Sequence, residues 1–136
     1  KPPISFFNNF LVERNGEHKN SLDIKTRGLV PFWDFARVMA LRYGIDETST
    51  LGRLELLRNK GHIPEELFIK ARESYEFQMQ LRLLNQLKLI EEGEKPHNYI
   101  NPSDLSELEK QTLKGAFSVI ANLQSFLKEM FKLNMV

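Results

Sequence analysis

The sequence predicts a mostly α-helical protein, an up-and-down bundle of four to five helices preceded by a short N-terminal β-hairpin or irregular segment. Three observations predict this: apolar residues recur at helical spacing after residue 28, capping residues stand where helices would begin, and glycines and prolines separate the segments. The 136 residues suit one domain, and 41% hydrophobic with 27% charged residues is typical of a globular chain. We therefore expect one helical domain over residues 1–136, with 1–28 as a hairpin or linker and 29–136 as the bundle.

The segment before the first helix contains two short β-compatible stretches, residues 10–13 and 21–25. Between them, Asn15 and Gly16 tolerate a positive φ, and apolar and polar residues alternate in the second stretch, so a hairpin is predicted. The competing prediction is a short helix over residues 5–12, because the apolar residues there also recur near a period of 3.6.

The first two helices are predicted from their ends. Pro31 suits a first helical position, and an apolar stripe runs from there to Tyr43 before Gly44 closes the helix. A second, shorter helix follows the hydroxyl residues 48–50, which are candidate caps, and stops at residues 60–61.

Two longer helices complete the bundle. Pro64 and the two glutamates that follow it favour a helix start, and the apolar pattern then runs over residues 67–90. Residues 93–102 are rich in proline, glycine and asparagine, which predicts a loop. The last helix begins near Ser103 or Ser106, where the second serine fits a capping box, and its phenylalanines at 117, 126 and 131 are predicted to lie in the core.

Charge and composition exclude several functions. With 19 basic and 18 acidic residues the net charge is +1, so no overall field would attract nucleic acid or an anionic membrane, and we expect neither as a partner. The absence of cysteine excludes disulfides and thiolate chemistry and fits a reducing compartment such as the cytoplasm. No apolar run is long enough to span a bilayer, and the start at Lys1, without a signal peptide, suggests a piece of a longer protein.

Generic catalytic and metal-binding motifs do not occur. The sequence has no glycine-rich phosphate loop, no Gly-x-Ser-x-Gly elbow and no His-Glu-x-x-His helix. The three histidines, His18, His62 and His97, stand far apart in predicted loops or turns. We interpret them as surface residues and predict no metal site in this chain.

Two groups of polar residues are candidates for binding. The first is a basic cluster around Asp23 and Asp34; it consists of Arg14, His18, Lys19, Lys25, Arg27, Arg37 and Arg42. Such a cluster can hold a polyphosphate, with a carboxylate orienting the cations or binding magnesium. The alternative is a solvated hairpin edge, with Asp34 acting only as an acid in a first helical turn.

The second group lies on the third predicted helix. Arg82 and Gln86 are four residues apart and therefore share a face, with Gln78 and Asn85 nearby. A polar strip of this kind is either a solvent-facing surface or the lining of a pocket between helices.

The ordered combination of several stretches resembles the C-terminal domain family named for nucleotidyltransferase substrate binding. These stretches are FFNNF at 6–10, ERNGEH at 13–18, LDIK at 22–25, GLVP at 28–31, ARVMAL at 36–41, LRL at 81–83 with Gln86, NYINP at 98–102, and residues 105–113. The resemblance covers nearly the whole chain.

The resemblance implies a helical domain that follows a nucleotidyltransferase domain, in bacterial signalling proteins that often carry paired cystathionine-β-synthase or cyclic-nucleotide-binding modules. The family is also distantly similar to helical regions behind the catalytic domains of the uridylyltransferase and adenylyltransferase that modify nitrogen-signalling proteins. By that analogy Asp23 would lie beside the metal site of the catalytic domain. The full-length protein would then require Mg²⁺ and a nucleoside triphosphate.

This chain departs from the catalytic pattern of that superfamily. A Gly-Ser motif followed by Asp-x-Asp holds magnesium in such enzymes, and neither occurs here, so the chain alone should not catalyse nucleotidyl transfer. The leading hypothesis is a substrate-binding or positioning domain that serves its own nucleotidyltransferase domain and has two candidate surfaces. Asp23, Lys25, Arg27 and Arg37, with Arg14 and His18, would lie near the domain interface, and Arg82 and Gln86 would line the cleft.

The alternative hypothesis is a helical protein-interaction or dimerisation module. Long amphipathic helices with spare leucine and phenylalanine positions favour this function, because a stripe wider than the core needs is buried by a partner. That partner would be a second copy of the chain or a protein substrate. A stand-alone enzyme is not supported, since nothing in the sequence assembles a nucleophile, a base and an oxyanion site.

Overall fold

The computed structural model describes residue 10 and residues 12–134. The elements of this part, in chain order, are β1 (Leu22–Asp23), a π-helix (Lys25–Leu29), α1 (Val30–Tyr43), α2 (Thr50–Asn59), α3 (Glu65–Glu91), β2 (Tyr99–Ile100), a 3₁₀-helix (Pro102–Asp104) and α4 (Glu107–Asn134). The prediction of a mostly helical fold is confirmed.

The starts of α2 and α4 have the capping hydrogen bonds that the sequence predicts. The Ser49 hydroxyl accepts a 3.0 Å hydrogen bond from the backbone N–H of Gly52 at the start of α2. At the start of α4, Ser106 and Glu109 form a reciprocal capping box, with hydrogen bonds of 2.8 and 3.1 Å. Each such cap satisfies donors that the first helical turn leaves without partners.

The bundle is organised around its two long helices. α3 and α4 pack along each other, α1 packs against α2 and α4, and α2 packs against α3. The largest fully buried side chains are Phe32, Phe35, Phe68 and Phe117. Burial of each contributes about 1.5–3 kcal/mol, so these rings account for much of the apolar stabilisation.

One core prediction on α4 is wrong. Phe117 is fully buried and Phe126 packs against the core, but Phe131 is 41% exposed. Its ring lines an open groove with Val38 and Leu41 of α1. The helical spacing of Phe131 is right, but at this position α1 covers the helix only from one side.

Among the described residues, the strand at Leu22–Asp23 pairs with β2 and not with a neighbouring strand of a local hairpin. The two strands are antiparallel, with Leu22 opposite Ile100 and both side chains buried. Residue 13 does approach the first strand: the Glu13 N–H donates to the Ser21 carbonyl at 2.9 Å, and the Asn20 N–H donates to the Glu13 carbonyl at 2.8 Å. These bonds close the loop over residues 13–21, whereas the strand pairing joins β1 to β2, which lie far apart in the sequence.

The chain turns helical immediately after Asp23, which shortens the predicted strand over residues 21–25. The Asp23 carboxylate accepts hydrogen bonds from the Thr26 N–H at 3.1 Å and from the Thr26 hydroxyl at 2.9 Å. These bonds satisfy the first turn, and Lys25 therefore begins a π-helix that continues directly into α1. The competing prediction of a helix over residues 5–12 falls, apart from residues 10 and 12, outside the described residues.

The predicted loop over residues 93–102 is present, and it contains β2 near its end. This position brings the loop against the start of the π-helix, since the Ile24 N–H donates to the Asn98 carbonyl at 2.9 Å. Over residues 12–134, no helix combines the length and the apolarity that crossing a membrane requires.

Candidate functional site

Asn98 is the centre of a polar cluster between α3 and the two-stranded sheet. Its side-chain oxygen accepts hydrogen bonds from Nε of Arg82 at 2.8 Å and from Nε2 of Gln86 at 3.0 Å. Its backbone carbonyl accepts the Ile24 N–H at 2.9 Å. One asparagine thus joins α3, β2 and the start of the π-helix.

Arg82 and Gln86 meet in this cluster because they are one helical turn apart on α3. Asn85, on the same side of the helix, donates from its amide to the Tyr99 carbonyl at 3.2 Å. The sequence-based expectation that Arg82 and Gln86 share a face therefore agrees with the geometry, and that face is turned towards the sheet and not directly towards water.

Two histidines and a tyrosine cover the other side of β2. The rings of His18 and Tyr99 are stacked, with centroids 3.9 Å apart and planes 6° from parallel. The ring of His97 lies 4.6 Å from that of His18, and Nδ1 of His97 accepts the Tyr99 N–H at 3.0 Å. The expectation that His18 and His97 lie far apart is therefore wrong, because the pairing of β1 with β2 brings their loops together.

The histidine pair is not accompanied by further ligand groups. Among the described residues, no group of three or more histidine, cysteine or acidic side chains could hold a metal ion. Asp23, the carboxylate nearest in the strand register, sits opposite Tyr99 but uses both oxygens to accept bonds from Thr26. Its geometry is that of a helix-start cap.

A cavity of about 300 Å³ opens beside the Asn98 cluster, on the outer side of α3. It is lined by Met79, Gln80, Arg82, Leu83 and Gln86. The volume is at the lower end of the range for small-molecule sites, and a few convergent polar groups beside apolar walls are typical of such sites. The cavity is therefore suited to part of a ligand, held by one cation and two amides.

Besides the groove at Phe131, of about 350 Å³, two larger grooves lie between the first half of α3 and α4. Their volumes are about 450 and 390 Å³, and Lys70 and Asn122 line both. The cation of Lys70 is already paired with Glu66 at 3.0 Å. We favour the smaller cavity because its arginine is held by Asn98 and, unlike Lys70, has no acidic partner among the described residues.

The basic residues predicted around Asp23 are dispersed on the surface. Arg14, Lys25, Arg27 and Arg37 are all exposed, and none of their side chains forms a hydrogen bond or ion pair with another described residue. Asp34 is likewise exposed on α1. These side chains are available to a partner, but within the described residues they do not form a closed polyphosphate cradle.

Sequence reasoning missed three residues of the cluster: Asn98, Tyr99 and Asn85 as a donor to the sheet. All three act through contacts across 12 to 16 positions of the sequence. The signal that could have indicated them is the asparagine-rich run NYINP at 98–102, which already stood among the stretches that resemble a known family.

The described residues form a helical domain with a polar cluster between α3 and the small sheet, beside a cavity on α3. A family model described as "Putative nucleotidyltransferase substrate binding domain" matches residues 1–131, and the chain belongs to this family. The family is a substrate-binding one and not a catalytic domain. Comparison with curated proteins and with solved structures finds no match.

Proposed function

We propose that the chain is a non-catalytic domain that binds or positions the substrate of a nucleotidyltransferase, within a bacterial signalling protein. The observation that supports this most directly is the Asn98 cluster, which fixes Arg82 and Gln86 at the edge of a small cavity. Membership of the family supports nucleotidyl transfer as the reaction in which this substrate takes part.

In this proposal the metal belongs to the catalytic domain. Asp23 does not suit Mg²⁺, because Thr26 occupies both of its oxygens and no further acid joins it among the described residues. Mg²⁺ and the nucleoside triphosphate would therefore be held by an Asp-x-Asp pair elsewhere in the protein. The chain contributes binding and orientation of the reactant.

The exposed cations suggest where the two domains meet. Lys25 and Arg27 extend from the π-helix and Arg37 from α1, without partners among the described residues. We assign this surface, with Arg14 and His18 beside the sheet, to the contact with the nucleotidyltransferase domain. Asp23 would stabilise the surface by holding the first turn of the π-helix.

Calorimetric titration tests the proposal. The intact protein is titrated with Mg-ATP and Mg-UTP, and compared with a Gln86→Leu variant, which keeps the side chain's bulk but loses its amide. We expect weaker binding of the accepted nucleotide or acceptor in the variant, and no turnover by residues 1–136 alone. Metal-dependent transfer by this chain alone would overturn the proposal.

A dimerisation or protein-interaction module is the second candidate function, and a specific surface supports it. Leu83, Leu84, Leu87 and Ile90, in the last turns of α3, are each 48–57% exposed. Contiguous exposed apolar residues of this kind are typical of interaction sites, for a second copy or a protein substrate. Light scattering over a range of concentrations would exclude self-association if the mass stays that of a monomer.

A further inference from the structure

Arg82 is a half-buried arginine that lines a cavity and has no ion pair among the described residues. Four arginines of the described chain are half-buried, and two of them form an ion pair with a carboxylate. The ion pairs are Arg58 with Glu65 at 3.3 Å and Arg72 with Glu76 at 3.9 Å, whereas Nε of Arg53 donates to the backbone carbonyl of Glu47 at 2.7 Å. Arg82 has no carboxylate within ion-pair distance among the described residues.

The partner that Arg82 does have is neutral. Its Nε donates to the amide oxygen of Asn98, and its two terminal nitrogens have no hydrogen bond with a described residue. A guanidinium does not lose its proton in proteins, so the positive charge persists. The terminal nitrogens are therefore free to bind an anion that enters the cavity lined by Arg82.

The anion does not come from another side chain of this sequence. No aspartate or glutamate occurs among the residues that the structure does not describe, which are 1–9, 11 and 135–136. The acidic residues of the described part lie beyond ion-pair distance of Arg82. An anion bound at Arg82 would therefore belong to another molecule or to another part of the protein.

We propose that Arg82 binds the anionic group, a phosphate or a carboxylate, of the substrate; this rests on the proposed function and names the chemistry of its site. Because Asn98 holds Nε, the two terminal nitrogens form a fixed fork, which suits the oxygens of such a group. The cavity extends from the fork over Met79 and Leu83, so an apolar portion of the ligand lies next to its anionic group.

Gln86 adds a further requirement. Its Nε2 donates to Asn98, while its Oε1 has no donor among the described residues. This oxygen is free to accept a hydrogen bond from a hydroxyl or amine that lies close to the anionic group of the ligand. A cavity of about 300 Å³ accommodates this part of the ligand and not a whole nucleotide.

The test uses nuclear magnetic resonance of the intact protein, following the Nε–H signal of Arg82 and the amide signals of Asn98 and Gln86. The probes are sodium phosphate and sodium benzoate, each compared with sodium chloride at equal ionic strength. Arg82→Gln removes the charge, and Arg82→Lys retains it without the fork. Arg72→Gln is the matched control, since Arg72 lies on the same helix and already has an acidic neighbour.

We expect saturable changes with phosphate or benzoate but not with chloride, and the stronger probe identifies the anion. Loss of a charged hydrogen-bonded contact should weaken binding at least about tenfold in Arg82→Gln, less in Arg82→Lys, and not in Arg72→Gln. Non-saturable changes, or equal binding by Arg82→Gln, would overturn the proposal.

Failure of this proposal is distinguishable from failure of the proposed function. If no anion binds at Arg82 but Gln86→Leu still weakens binding of the substrate, the domain binds substrate by other contacts and only the role of Arg82 is wrong. If phosphate reaches Arg82 in residues 1–136 alone but not in the intact protein, a carboxylate of the neighbouring domain occupies the fork, and the assignment to substrate is overturned.

Discussion

The amide oxygen of Asn98 accepts a 2.8 Å hydrogen bond from Nε of Arg82, and this contact joins the small sheet to the middle of the bundle. Asn98→Ala removes this bond together with the one from Gln86. We expect the free energy of unfolding to fall by about 1 to 3 kcal/mol, because two donors lose their acceptor. Chemical denaturation measures the change. Asn122→Ala, an exposed α4 position without a hydrogen bond to a described residue, is the control and should change stability by less than about 0.5 kcal/mol.

Gln78 is completely buried, and neither atom of its amide has a hydrogen-bond partner. Gln78→Met retains the length of the side chain and removes the unsatisfied groups. The free energy of unfolding should rise by about 1 to 2 kcal/mol, because an unpaired buried amide is destabilising. A fall in thermal and chemical stability would mean that the amide has a partner, such as an internal water.

Gly28 lies directly against Gln78. A Cβ at position 28 would come within 1.9 Å of the Gln78 side-chain oxygen. Gly28→Ala should therefore destabilise the fold by about 1 to 3 kcal/mol through overpacking. The same substitution should be less harmful in a Gln78→Ala background, which makes space for the methyl group, and a double-mutant cycle by chemical denaturation measures the difference. Strictly additive effects would contradict the contact.

The Glu47 carboxylate makes the stability of the turn before α2 depend on pH. Its pKa is lowered because its carboxylate accepts hydrogen bonds from the N–H groups of Ser49 and Thr48 and lies near Arg53. A lowered folded-state pKa gives a stabilising contribution that is present above the unfolded pKa of about 4.3 and is lost as the pH falls through the lower folded value. Glu47→Gln should flatten this acid side of the stability profile.

The control for this pH dependence is Glu55→Gln, since Glu55 is an exposed α2 residue without a hydrogen bond to a described residue. Its stability profile between about pH 3 and 6 should follow that of the unmodified chain. Indistinguishable profiles for Glu47→Gln and the unmodified chain would show that the turn does not depend on this carboxylate.

The helices could be predicted because their signals are local. Ser49 and Ser106 cap helices through bonds to residues three positions away, so both partners of each bond lie within one short stretch of sequence. The pairing of Leu22 with Ile100 could not be predicted in this way, because each two-residue strand is too short to show a pattern. The strand prediction then favoured the nearer segment.

The same difference between local signals and contacts of distant segments applies to the candidate site. Helical spacing placed Arg82 and Gln86 on one face, but their acceptor, Asn98, lies in a loop whose position depends on the whole bundle. The stacking of His18 on Tyr99 has the same origin. The basic residues around Asp23 are close in sequence, yet sequence proximity does not decide whether side chains converge, and in the structure Asp23 is occupied by Thr26.

The most direct test of the central claim is steady-state kinetics of the intact protein with Arg82→Gln and with its control Arg72→Gln. If Arg82 positions the substrate, Arg82→Gln raises the KM for the substrate by about tenfold, leaves kcat nearly unchanged, and Arg72→Gln behaves as the unmodified protein. Equal KM values for all three proteins would contradict the account.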